Sequence, residues 1–137
     1  MPISSLPSPY GIGTLGKEAH DFVDFLSKTK QGWWQMLPVG PTSYGDSPYQ
    51  SFSAYAGNPY FVDLATLCED GLLMQAELES VDWGSDPAKV DYEKIYLSRF
   101  DLLRKTADRG WEKDEEAVAT FERTTTVGCR TRCCSWR

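Results

Sequence analysis

Residues 44–50 read Tyr-Gly-Asp-Ser-Pro-Tyr-Gln. Two aromatic rings (Tyr44, Tyr49), the Asp46 carboxylate, the Ser47 hydroxyl and the Gln50 amide thus fall within seven residues. A sugar needs that mixture, with flat rings for its C–H faces and polar groups for its hydroxyls. The same composition also suits a rigid packed loop in which Asp46 caps a turn, and spacing alone leaves both readings open. The stretch sits inside a longer segment without regular pattern, residues 40–59, which also carries Phe52 and Tyr55. Connections of that length are uncommon beside the usual ~4–6 residues. Its aromatics suit a loop that folds against something.

Other candidates for chemistry are weak. His20 is the one histidine and sits among acids in a helical pattern, where a surface role is the simple reading. Without a second histidine or a Cys-x-x-Cys, no metal site is expected; Cys133-Cys134 lacks the partners it would need. Gly11-x-Gly13 has no strand before it and no third glycine at the right offset for a dinucleotide loop. The carboxylates are scattered along helical stretches, where they form a solvated face, and none stands out as catalytic.

The elements that must hold the aromatic loop can be read on either side of it. Pro7, Pro9, Gly11 and Gly13 make residues 3–13 a loop. Ala19, Phe22, Val23 and Leu26 give a helical stripe, so a helix is expected over Leu15–Thr29, with Gly32 ending the segment. Trp33–Leu37 is short, apolar and bounded by Gly and Pro, which predicts a buried strand. Helix followed at once by buried strand predicts an α/β layer. Beyond the loop, Tyr60–Leu64 reads as a short extended piece. Leu64–Asp70 then reads as a helical turn stopped by Gly71, and Met74–Glu79 as a short helix. Asp91 caps a long helix with an inner stripe of Tyr92, Ile95, Tyr96, Arg99, Leu102 and Leu103. Gly110 is expected to end that helix, and a separate one to run from Glu112 to Glu122, carrying Val118 and Phe121.

Composition bounds the function. The chain has 137 residues, 41% hydrophobic and 25% charged, enough for one ordinary domain. No apolar run could span a bilayer and no basic-plus-apolar leader opens the chain, so a cytoplasmic location is expected. A net charge of −6 argues against nucleic acid as a partner. All 20 acids lie in residues 1–122, whereas the last 15 residues hold four arginines, three of the four cysteines and no acid.

Taken together, PISSLPSPYGIG, GKEAHDFVDFL, WWQMLPVGPTSYGDSPYQSFSAYAGNPYFVDL and VDYEKIYLSRFDLLR resemble the amylomaltases, the 4-α-glucanotransferases of glycoside hydrolase family 77. The resemblance runs from Pro2 to about Arg123. It implies an N-terminal fragment of a (β/α)8 barrel with an additional helical subdomain, hence an α/β fold. It implies transfer of a 1,4-α-glucan segment to a new sugar acceptor by a retaining mechanism, with one carboxylate as nucleophile and another as acid/base. It implies α-1,4-glucans and maltooligosaccharides as partners and no metal or organic cofactor. The loop corresponding to residues 40–59 lines the sugar cleft, which makes Tyr44, Ser47 and Tyr49 the expected substrate contacts and Asp46 a loop organiser.

The chain departs from the family pattern in three respects. It opens after the apolar strand that normally precedes PISSLPSPYGIG. None of its acids matches a catalytic motif, so no catalytic residue is assigned and a chain inactive alone is expected. Residues 124–137 match nothing in the family. A permitted back-translation from Arg123, read two bases later, yields Asn-Asn-Asp-Cys-Trp-Leu-Gln-Asp-Ser-Val-Leu-Phe-Met-Ala, which does fit the family. The expected division is therefore 1–123 as barrel segment and 124–137 as an out-of-frame tail without structure of its own. An isolated barrel segment would be marginal in solution. A non-catalytic glucan-binding module built on the Tyr44–Gln50 loop is the alternative function.

Overall fold

The fold is seen in a computed structural model that describes residues 1–124, except Ser43, Tyr44, Asp46, Phe52, Ala54, Tyr55 and Pro87. Four α-helices are present: α1 Lys17–Lys28, α2 Leu64–Glu69, α3 Gln75–Glu79 and α4 Tyr92–Thr124. Three single 3₁₀ turns join them, at Ile3–Ser5, Pro48–Gln50 and Pro59–Phe61. No described helix is long and apolar enough to cross a membrane.

Helix α1 buries Ala19 and half-buries Phe22 and Leu26, while Val23 stays 49% exposed, so the apolar stripe is narrower than expected. It stops before Gly32. Lys30 adopts the left-handed conformation (φ 59°), and its N–H reaches Ser27 O while Gln31 N–H reaches Leu26 O. These paired bonds satisfy the last carbonyls of the helix. The Thr29 hydroxyl adds bonds to the Phe25 and Leu26 carbonyls at 2.9 and 3.0 Å.

Beyond Gln31 the expected buried strand is absent. Trp33–Leu37 is not helical, but it pairs with no strand, and the described residues contain no strand at all. An α/β layer is therefore not formed by this piece alone. A strand is defined by hydrogen bonds to a neighbour, and the described residues offer no neighbour. Burial fails for the same reason: Trp33 is 93% exposed. Only Trp34 turns inward, edge-on to Phe22 at 4.9 Å between ring centroids, with its indole N–H donating to Met1 O.

Asp91 caps α4 as expected, accepting from Lys94 N–H at 3.2 Å. Ile95, Arg99, Leu102, Thr106 and Gly110 form its buried stripe. Tyr96, expected inside, is 60% exposed. The helix does not end at Gly110. It runs 33 residues to Thr124, absorbing the expected separate helix and passing the boundary expected after residue 123. Mid-helix glycine costs only about 0.5–1 kcal/mol relative to alanine, too little to stop a helix whose first half is packed. Residues 125–137, with their cysteines and arginines, lie outside the described residues.

Three small clusters make the core. Leu64, Leu73, Leu78 and Leu102 pack α2, α3 and α4 together; Ile3, Leu6 and Ala19 join the N-terminal loop to α1; Ile12, Tyr60 and Ile95 join that loop to α4. The expected extended piece at Tyr60–Leu64 is instead the Pro59–Phe61 turn running almost directly into α2. Close approach makes two glycines necessary. A Cβ on Gly13 would lie 2.0 Å from Ile3 O, and one on Gly16 would lie 2.4 Å from the Asp63 carboxyl carbon.

Candidate functional site

The segment from Gly40 to Pro59 follows Trp33–Val39 and leads back to the core, and its base is fastened on both sides. A Cβ on Gly40 would fall 2.5 Å from Ser51 Oγ and 2.6 Å from Ser53 O, so the incoming and returning arms of the loop touch there. Ser51 Oγ donates to Ser53 O at 2.7 Å, and buried Ser53 accepts from Ala56 N–H through its own hydroxyl at 3.0 Å. Buried Asn58 accepts from Tyr60 N–H at 3.0 Å, which starts the Pro59–Phe61 turn. Sequence reading did not single out these supports, although Asn-Pro is a recognised turn signal.

Behind the base stands a polar and aromatic anchor. Buried Tyr60 meets Phe100 edge-on at 5.6 Å and Tyr92 at 6.1 Å. Arg99, wholly buried on α4, donates through Nη2 to Val62 O; its Nε and Nη1 have no partner among the described residues. Burial pushes the Arg99 guanidinium down to about 10, against the attraction of Asp63. Asp63 itself accepts from Thr14 Oγ1 at 2.8 Å, from Thr66 N–H at 2.9 Å and from Thr66 Oγ1 at 2.8 Å. Burial works to raise its pKa, but those bonds and the Arg99 charge outweigh it and hold the carboxylate ionised below the usual range.

Of the three expected contacts, Ser47 and Tyr49 are described. Ser47 is half-buried and precedes the Pro48–Gln50 turn, its carbonyl accepting from Gln50 N–H at 3.0 Å. Tyr49, two residues on, is 75% exposed. Its ring and hydroxyl are therefore offered outward from a fastened base. Tyr44 and Asp46 lie outside the described residues, as do Phe52 and Tyr55. The structure brings Ser47 and Tyr49 together on one turn. A groove of about 640 Å³ between the Ser4–Gly13 loop and Trp83–Val90, and a cavity of about 50 Å³ beneath Leu37–Val39, are lined by neither residue.

His20 is exposed on α1. Cys68 is a free, half-buried thiol, and burial pushes its pKa up, which makes it less reactive. Among the described residues no three His, Cys, Asp or Glu side chains gather as metal ligands.

Comparison with known proteins decides the family. The sequence profile described as 4-alpha-glucanotransferase matches residues 1–128. The chain belongs to the 4-alpha-glucanotransferase family. A 4-alpha-glucanotransferase of Streptococcus pneumoniae is 58% identical over 123 residues, covering 90% of this chain and 24% of the relative. One from Clostridium butyricum is 50% identical, covering 88% and 25%. Among solved structures, the amylomaltase from Streptococcus agalactiae in complex with acarbose superposes with a TM-score of 0.82 at 42% identity. That match covers 92% of this chain and 25% of the amylomaltase chain. The chain thus spans about a quarter of the length of the family members it matches, and over that quarter it shares the amylomaltase fold.

Proposed function

We propose that this chain is the glucan-binding quarter of a 4-alpha-glucanotransferase with a (β/α)8 barrel, and that residues 40–59 form part of its sugar cleft. The observation that carries the reading is the 58% identity to a 4-alpha-glucanotransferase across 123 residues that include the whole loop. The reaction on this reading is a double displacement. An enzyme carboxylate attacks the anomeric carbon of the donor as the α-1,4 bond breaks, and an acid group protonates the departing sugar oxygen. An acceptor hydroxyl then displaces the carboxylate and restores the α-linkage. None of those acid–base groups is assigned to this chain. Its part is binding: Tyr49 stacks against a glucose face, Ser47 and Tyr44 meet hydroxyls, and Asp46 organises the loop. A ledge fastened at Gly40, Ser51, Ser53 and Asn58 keeps such contacts in place without loss of ordering entropy on binding. Cytoplasmic location and maltooligosaccharide partners belong to the same proposal.

The division at residue 123 is proposed on composition, since the acid-free, arginine- and cysteine-rich tail begins there. Sequencing the DNA across codon 122 checks it: an open shifted frame with further barrel sequence is expected.

The functional test is a chimera. Residues 1–123 replace the matched quarter of the Streptococcus pneumoniae enzyme, and the product is incubated with maltotriose. Glucose and longer maltooligosaccharides are the expected products. A folded chimera that binds maltooligosaccharides without transfer would favour the binding-module alternative, and one that does neither would contradict the proposal.

A further inference from the structure

Among the described residues, Arg99 is the one charged side chain that is wholly buried, and a single bond holds it. Its Nη2 donates to Val62 O, while Nε and Nη1 have no partner among the described residues. Asp63 attracts it through space, but that carboxylate is taken up by Thr14 and Thr66. A charge taken out of water with two donors unmet is a poor way to hold a fold. An apolar side chain of similar volume commonly serves such a core position as well or better. The residue is therefore explained by where its one bond goes. Val62 N–H donates to Pro59 O at 3.3 Å, Phe61 N–H donates to Asn58 O at 3.0 Å, and Phe61 O accepts from Leu15 N–H at 2.9 Å. Through one carbonyl, Arg99 thus grips the Pro59–Phe61 turn on which the returning arm of residues 40–59 ends. Phe100, the next residue on α4, backs the same turn through the ring of Tyr60. Ile95 and Leu102 pack α4 into the core on either side, so the grip comes from a fixed element. The two arms touch at Gly40, so a shift of the returning arm is passed to the incoming one.

We infer that Arg99 is a positioning residue for the glucan loop: from behind the site it holds the Pro59–Phe61 turn through the Val62 carbonyl and so sets the placement of residues 40–59 against the sugar. It touches no substrate. Its effect falls on maltooligosaccharide binding and not on the displacement steps. The inference rests on the reading of residues 40–59 as part of a sugar cleft.

The test uses the chimera carrying residues 1–123, with maltotriose as substrate, as the parent and as its Arg99→Met and Arg99→Lys variants. Methionine keeps an apolar stem and lacks a donor. Lysine keeps a cation able to meet the one carbonyl that Arg99 uses. Melts by circular dichroism come first, and kinetics are then compared well below each melting point. Arg99→Met should melt close to the parent and should raise KM for maltotriose roughly fivefold or more, with kcat little changed. Arg99→Lys should restore KM most of the way. A purely structural role would lower the melting temperature and leave KM unmoved in the folded protein, and that result overturns the inference. So does failure of Arg99→Met to fold, a loss confined to kcat, or a KM that lysine and methionine raise equally. Isothermal titration with maltotriose separates the inference from the transfer reading. A parent chimera that binds without transfer, its binding weakened by methionine and kept by lysine, would sink the transfer reading and leave the positioning role standing. A parent that transfers, with both variants matching it, overturns the positioning role alone. A parent that neither binds nor transfers overturns both.

Discussion

Single residues in this fold act mostly as fasteners. Glu77 is the clearest case. Its carboxylate takes a two-pronged bond from Arg109 at 2.7 and 2.9 Å and a third from Met74 N–H at 3.0 Å, tying α3 to α4. The Arg109 bond first, and the Met74 N–H second, hold its pKa well below 4.5, at about 2. A carboxyl whose folded pKa is depressed stabilises the fold fully above its unfolded value and loses that contribution as pH falls toward the folded one. The melting temperature should therefore drop between about pH 4.5 and 2, and Glu77→Gln should flatten that drop; melts by circular dichroism across the range check it. Neither Glu77 nor Arg109 stood out in the sequence, because a bidentate pair 32 positions apart leaves no local pattern. The turn at Pro48–Gln50 shows the opposite: Ser47 and Tyr49 lie two positions apart, and the turn between them is built locally from Pro48.

Elements whose cause is local were read well, and elements whose cause is distant were not. The Asp91 cap and the stripe Ile95, Arg99, Leu102 marked the start and inner face of α4 correctly. Its end was misread at Gly110, because glycine weakens a helix without terminating it unless the backbone turns left-handed. Helix α1 shows the converse. It ends at a lysine that does turn left-handed, which no propensity rule anticipates. Lys30 pays a steric cost there that glycine would not, so Lys30→Gly should raise stability by about 0.5–1 kcal/mol, read from urea unfolding midpoints. A loss of stability would mean that the Lys30 side chain makes a compensating contact. Trp33–Leu37 was read as a strand from its own composition, but pairing is a property of two segments, and the second is not among the described residues.

At the scale of the molecule, the core is divided among three small clusters and leaves much apolar surface exposed. Leu15, Phe25, Trp33, Tyr96, Leu97 and Trp111 are all more than half exposed, more than a settled small domain ordinarily leaves in water. The family members it matches are about four times as long. The family was legible in the sequence because the run from Gly45 to Tyr60 is long and specific; a sheet was not, because strand pairing needs a second segment that the described residues do not supply. The central claim is that this loop is a sugar-binding ledge. It is tested most directly by the transfer rate on maltotriose of the chimera carrying residues 1–123, compared with the same chimera bearing Tyr49→Ala or Phe52→Ala at matched stability. Loss of Tyr49 should cut transfer by about tenfold or more, equivalent to about 1.4 kcal/mol of lost binding, with Phe52→Ala far milder. Equal effects of the two substitutions, or no effect of Tyr49→Ala, would contradict the account and leave the loop as packing alone.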